Sequence, residues 1–182
     1  MKHLDLFCGK QYGWTKGFKD YRSTGIDIVD VRNYPGKFIK ADLMDYEPAG
    51  KYDVITASPP CTEFSIAKKF GWGTQDERQG LDLVHRTLYL ISQLKPKYWI
   101  MENVYGLADF IGPPKQKIRY SLHPSSKWAY FWGNFPEIGM LPNMIEHRKN
   151  DKVRDPWKRA EIPLSISSTF ANAITSTSSS RR

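Results

Sequence analysis

The sequence predicts an α/β fold, a doubly wound and mostly parallel sheet. Three observations lead there. Short apolar runs of strand length alternate with stretches of helical period, joined by short connections. Gly9, Gly13 and Gly17 space out a turn directly after the first run. A later apolar run, residues 52–57, stops dead at Pro59-Pro60, where neither residue can donate to a strand ladder.

Residues 3–8 form the first strand, and the glycine turn after it opens into a helix ending near Tyr21. Residues 25–29 are a second strand, residues 38–43 a short third, and residues 52–57 the fourth. Over residues 77–94, Leu81, Val84, Leu88, Ile91 and Leu94 recur at spacings of three and four, the mark of an amphipathic helix that Pro96 closes. Residues 98–101 are the fifth strand, running into Glu102-Asn103. Beyond Asn103 the periodicity dissolves, and residues 105–160 are rich in Pro, Gly, Trp and charge, with a weak strand at 129–132. Residues 163–174 read as a last helix with proline at its start. The Ser/Thr-rich tail 175–182 reads as disordered, which makes residues 1–174 one domain.

At 182 residues the chain can bury a core without disulfides, and Cys8 and Cys61 are its only cysteines, which points to a reducing compartment. The four histidines show no metal-ligand spacing with them, so no metal is expected. No signal peptide or membrane-length apolar run is evident, and a cytoplasmic protein is expected. The net charge of +8 divides into +3 over residues 1–100 and +5 over residues 101–182. Together with abundant Trp, Tyr and Phe it suits a polyanionic partner such as nucleic acid.

A parallel sheet lines up the carboxyl ends of its strands, where ligands bind in open α/β folds. That edge collects Phe7-Cys8-Gly9, Asp27, Asp42, Pro60-Cys61 and Glu102. A stiff Pro-Pro loop presenting a thiol is what a nucleophile needs, although a buried packing cysteine is the plainer reading of that stretch by itself. An acid near the end of a second strand suits a ribose. Asp42 can equally cap a turn, and Glu102 can equally be a surface acid. Cys8, at the end of a buried strand, reads as packing.

Asp5-Leu6-Phe7-Cys8-Gly9, Ser58-Pro59-Pro60-Cys61 and Glu102-Asn103-Val104, in this order and at these separations, resemble the cytosine-5 DNA methyltransferase family over residues 3–107. The resemblance implies a Rossmann-like, S-adenosylmethionine-dependent fold with residues 1–174 as the catalytic domain. By it, Phe7, Gly9, Gly13 and Pro59 line the cofactor pocket, Asp27 holds the ribose and Asp42 the adenine. Cys61 is the nucleophile, Glu102 grips the cytosine, and Pro60, Arg119 and Lys127 lie against the substrate. The implied setting is the cytoplasm of a bacterium or a phage-infected cell. The chain departs from the family pattern in places. Lys10-Gln11-Tyr12 separates Gly9 from Gly13, and lysine and alanine stand at 127 and 129 where the family carries Arg-x-Arg. Only about 55 residues lie between Val104 and the last helix, which makes 105–160 a reduced recognition or cap region. Its basic and aromatic residues, Lys115, Arg119, Trp128, Trp132 and the run from Arg148 to Arg159 among them, suit a DNA partner that is single-stranded or a loosely specific duplex. Trp128, Tyr130 and Trp132 read equally as the core of a small cap. A protein partner for target recognition is also expected. The alternatives are a weakly active or inactive binding relative, and an enzyme acting on cytosine in RNA or a free nucleotide.

Overall fold

Strands with two covered faces form the centre of the molecule, as parallel ladders require. The computed structural model describes residues 1–61, 64, 77–120, 127–139 and 161–179. The strands are β1 (Lys2–Leu6), β2 (Arg22–Asp27), β3 (Lys37–Lys40), β4 (Val54–Ala57), β5 (Tyr98–Asn103), β6 (Gln116–Tyr120) and β7 (Lys127–Asn134). They form one sheet in the order β3-β2-β1-β4-β5-β7-β6, parallel except that β7 runs antiparallel to both of its neighbours. The order reverses between β1 and β4, so a crevice opens outside the carboxyl ends of those two strands.

The helices are α1 (Gly13–Gly17), α2 (Glu77–Leu94), the single-turn α3 (Ala108–Ile111) and α4 (Leu164–Ser179), with a 3₁₀ turn at Tyr105–Leu107. One face of the sheet packs Val54, Ile100 and Phe131 against Trp14 and Phe18 of the α1 region and Ile166, Phe170 and Ile174 of α4. The other face packs Leu4, Leu6, Ile55 and Met101 against Val84, Leu90 and Ile91 of α2. The α1 glycines bring its backbone close to the α4 region. A Cβ on Gly13 would stand 2.6 Å from the Ile162 carbonyl oxygen, and one on Gly17 would stand 2.3 Å from the Ser167 carbonyl carbon.

Several boundaries differ from the sequence reading. β1 ends at Leu6, because Phe7 turns into the left-handed region (φ 57°). α1 stops at Gly17, short of Tyr21. β2 starts earlier than expected and ends at Asp27, leaving Ile28 outside the ladder at 61% exposure. β3 ends at Lys40, two residues before Asp42.

Residues 116–120 and 127–134, read as part of a structure-poor cap, form a hairpin that completes the main sheet. Phe131 and Trp132 are buried in its two cores and Tyr130 is partly buried, whereas Trp128 is exposed. Residues 175–179, expected to be disordered, extend α4. The hydroxyls of Thr175, Thr177 and Ser179 donate to the carbonyls four residues back, and the Thr175 hydroxyl also pairs with that of Tyr21. The basic run from Arg148 to Arg159 and the tail 180–182 lie outside the described residues.

Candidate active site

At the carboxyl end of β1 the chain is turned sharply. Phe7 (φ 57°), Gly9 (φ 63°) and Tyr12 (φ 38°) all take left-handed conformations, which for Phe7 and Tyr12 cost on the order of 1 kcal/mol each. The loop is pinned from the next strand. Asp27 accepts the Gly9 main-chain N–H through Oδ2 at 2.8 Å and the Val29 N–H through Oδ1 at 2.9 Å. Nothing lies within 4 Å of where a Cβ on Gly9 would stand, so the space beside this glycine is open. Gly13 is not part of that opening; it is buried against Ile162. Asp42 is exposed and closes a turn by accepting the Met44 N–H at 2.9 Å.

Below the loop lies a buried polar chain. Thr56 and Thr15 hydroxyls donate to the two oxygens of Asp5 at 3.2 and 2.7 Å. His3 stands 2.8 Å from Thr56 through Nε2 and 3.0 Å from Ser23 through Nδ1, and the Tyr34 hydroxyl stands 2.5 Å from Thr15. The neutral His3 ring has one donor and one acceptor nitrogen for these two hydroxyls. Burial holds the His3 ring neutral, lowering its pKa from 6.5 to about 3. Burial, the larger effect against the two threonine hydroxyls, raises Asp5 from 3.8 to about 7. Burial and the nearby Asp5 and Asp27 push the Cys8 thiol far above the ordinary range, so this cysteine is inert packing.

The Pro-Pro loop follows β4. Ala57 is paired with Met101, so the chain leaves the sheet one residue short of the level of Glu102 on the neighbouring strand. Asn103 Nδ2 donates to the Pro59 carbonyl at 3.1 Å, and Trp14 Nε1 donates to Ser58 Oγ at 2.9 Å. Past the cysteine, the Phe64 N–H returns to the Cys61 carbonyl at 3.2 Å. Phe64 is buried, its ring 5.6 Å from that of Phe110, and its carbonyl lies 2.2 Å from where a Cβ on Gly106 would stand. Cys61 is therefore held between two anchors while itself half-buried, and the neighbouring Pro60 is exposed and Pro59 buried. Glu102 is buried on the adjacent strand, paired in register with Phe131.

The structure thus brings Phe7, Gly9, Asp27, Pro59, Pro60, Cys61 and Glu102 to one edge around the β1–β4 crevice. Arg119 and the Lys127 backbone sit further along that edge on the β6–β7 hairpin, Arg119 opposite Trp128 and Tyr120 opposite Lys127. The Lys127 side chain lies outside the described part. Sequence reasoning missed Asn103 as the brace of the Pro-Pro loop, Gly106 as its seat, and Ile28 as an exposed apolar surface beside Asp27. It also missed Arg86 of α2, which donates to the Leu43 and Tyr46 carbonyls at 2.8 and 3.2 Å and so straps the Asp42 turn to the helix. Among the described residues no cluster of His, Cys, Asp and Glu is arranged to hold a metal, and no helix is long and apolar enough to cross a membrane.

The sequence matches the family model of C-5 cytosine-specific DNA methylases over residues 1–115. It is 31% identical over 138 residues to the type II methyltransferase M.Bsp6I of Bacillus sp. (strain RFL6), a match covering 68% of this chain and 43% of that one. It is 28% identical over 145 residues to the type II methyltransferase M.HindV of Haemophilus influenzae, covering 63% of this chain and 44% of that one. The chain thus spans less than half the length of these two relatives. Among solved structures, a prophage-encoded E. coli protein assigned as a DNA modification methyltransferase superposes with a TM-score of 0.53 at 19% identity, covering 73% of this chain and 46% of that one. At that identity the likeness speaks for the fold.

Proposed function

The chain belongs to the C-5 cytosine-specific DNA methylase family, and on that premise we propose that it transfers a methyl group from S-adenosylmethionine to C5 of cytosine in DNA, through a covalent bond from Cys61 to C6. The observation that carries this reading is the double anchoring of the cysteine. Asn103 fixes Pro59 before it and the Gly106 seat fixes Phe64 after it, at the end of the strand beside Glu102.

The residues at the β1–β4 crevice fit the cofactor. The open Gly9 turn gives its backbone room, and each Asp27 oxygen, already accepting one main-chain N–H, keeps a second lone pair for a ribose hydroxyl. Ile28 offers an exposed apolar surface for the flat face of adenine, and the Asp42 turn supplies an acceptor for its amino group. When bound, the cofactor supplies an electrophilic methyl carried on a sulfonium.

Cytosine C5 is too weak a nucleophile to take that methyl unaided. Addition of the Cys61 thiolate at C6 makes C5 enamine-like, and a Glu102 carboxyl sharing its proton with N3 offsets the charge that builds on the ring. After methylation, loss of the C5 proton to a base restores the double bond and expels the cysteine. A cytosine within a duplex must be swung out of the stack to reach this loop. The exposed cations and aromatics of the β6–β7 hairpin, Arg119, Lys117 and Trp128, are placed to meet the rest of the nucleic acid. We read residues 1–174 as the catalytic domain, with the β6–β7 hairpin offering its exposed face to DNA.

The test is covalent trapping. An oligonucleotide containing 5-fluorocytosine, offered both single-stranded and as a duplex with cofactor present, should form a stable adduct, because fluorine cannot leave as a proton does. Cys61→Ser should abolish the adduct yet bind cofactor as the parent does, and Cys8→Ser should keep it. An adduct that survives Cys61→Ser, or methyl transfer independent of Cys61, would overturn the mechanism.

A further inference from the structure

The opposite edge of the sheet, at the amino ends of the parallel strands, holds a cleft of about 450 Å³ that no part of the proposed reaction uses. Lys2, Arg22, Lys37 and Lys51 line it, and all four are exposed. Each comes from a different, adjacent strand or strand approach, namely β1, β2, β3 and the turn entering β4. Lys2 is paired in register with Arg22, and Lys37 with Thr24 two residues on, so these three cations share one face of the sheet. Neighbouring strands lie about 4.8 Å apart, so the four charges form a row roughly 15 Å long across the sheet edge.

None of the four is ion-paired among the described residues, whereas Lys16 pairs with Glu161 and Arg86 with Glu47. A neighbouring carboxylate, Asp53, accepts the Lys2 main-chain N–H at 2.7 Å. Tyr21 and Tyr52 give the cleft two partly buried aromatic walls. Four like charges in a line repel one another, and an anion lying along the line relieves that repulsion. A compact anion would satisfy one or two of them. A polymer with a phosphate at every repeat, a few ångströms apart, can meet all four.

We propose that this cleft is a second phosphate-binding site, which holds the phosphodiester backbone of a nucleic-acid segment away from the Cys61 edge. The site adds affinity without reading bases, because its charged contacts reach phosphates only. It does not depend on the methyl-transfer reading, since it needs neither Cys61 nor cofactor.

The experiment measures binding of a fluorescent 20-nucleotide oligonucleotide, single-stranded and duplex, by anisotropy between 50 and 200 mM salt. Each phosphate contact contributes a slope of about 0.9 in log affinity against log salt on duplex DNA. The double variant K37Q/K51Q should therefore lower the slope by about 1.8, so that the affinity lost over this salt range shrinks roughly 12-fold. K37R/K51R should keep the parent slope, which separates charge from any effect on folding. ATP supplied alone is the second arm. An unchanged slope in K37Q/K51Q would overturn the proposal. ATP binding lost in K37Q/K51Q, with oligonucleotide affinity untouched, would assign the cleft to free nucleotides and overturn it equally.

Discussion

The buried His3–Thr56–Asp5 chain makes a pH prediction whose sign can be worked out in advance. Asp5 has its folded pKa raised from 3.8 to about 7, so its contribution to stability is full below 3.8 and is lost as pH rises through about 7. His3 has its folded pKa lowered from 6.5 to about 3, so its contribution is full above 6.5 and is lost as pH falls toward 3. Between about pH 4 and 6.5 the folded pair carries one proton, on Asp5. The unfolded pair also carries one, on histidine. The two slopes cancel, and wild type shows no pH dependence from this pair in that window. Asn at position 5 mimics the protonated acid and removes only one side of the balance. Stability of Asp5→Asn should then climb with pH at up to about 1.4 kcal/mol per pH unit, or roughly 2 kcal/mol between about pH 4.5 and 6.5 relative to wild type. His3→Gln should show the mirror image and lose a similar amount over the same interval. Urea unfolding of the three proteins at both pH values reads this directly, with all other titrating groups common to them. If Asp5→Asn followed the wild-type profile, the neutral His3 and protonated Asp5 inferred here would be wrong.

Gly17→Ala places a methyl 2.3 Å from the Ser167 carbonyl carbon, so α1 and α4 must part, and thermal unfolding should show a loss of about 1–3 kcal/mol; an unchanged melt would mean the helices are not in such contact. Asn103→Ala removes the brace on Pro59, so the rate of 5-fluorocytosine trapping should fall by about tenfold, the scale of one buried hydrogen bond, while calorimetric cofactor affinity stays as in wild type. Equal trapping rates would dismiss the brace. In native protein at mildly alkaline pH, iodoacetamide should label Cys61 and spare Cys8, whose thiol burial holds protonated, and peptide mapping that found equal labelling would contradict the packing of Cys8.

Much of the sheet could be read from residue order because its strands announce themselves locally. α2 was legible to the residue, since five apolar positions at helical spacing are closed by Pro96. β6 was not. Its sequence Gln-Lys-Ile-Arg-Tyr alternates charge with few aliphatics, which is how an edge strand protects its open side and also how a loop looks. The end of β2 was misplaced because Ile28 is apolar yet exposed, and hydropathy alone puts it in the strand. At the site, the residues that contact ligands in the proposed reaction stood out by type: a thiol after two prolines, acids at strand ends, glycine in a turn. The residues that position them did not. Asn103 reaches Pro59 across 44 residues and Arg86 reaches Leu43 across 43, and no local pattern records a bond of that span.

The contact between α1 and α4 sets a timetable for making the protein. Lys16 pairs with Glu161 and Tyr21 with Thr175, partners 145 and 154 residues apart. At roughly 5–20 residues per second, the ribosome delivers α4 some 7 to 30 s after α1. Until then Trp14 and Phe18 lack the wall formed by Phe170 and Ile174, and the glycine loop above them has no support on that side. A nascent chain halted before α4 emerges would expose this aromatic face to chaperones, however complete its first five strands. The α1–α4 core therefore closes only after α4 has been made.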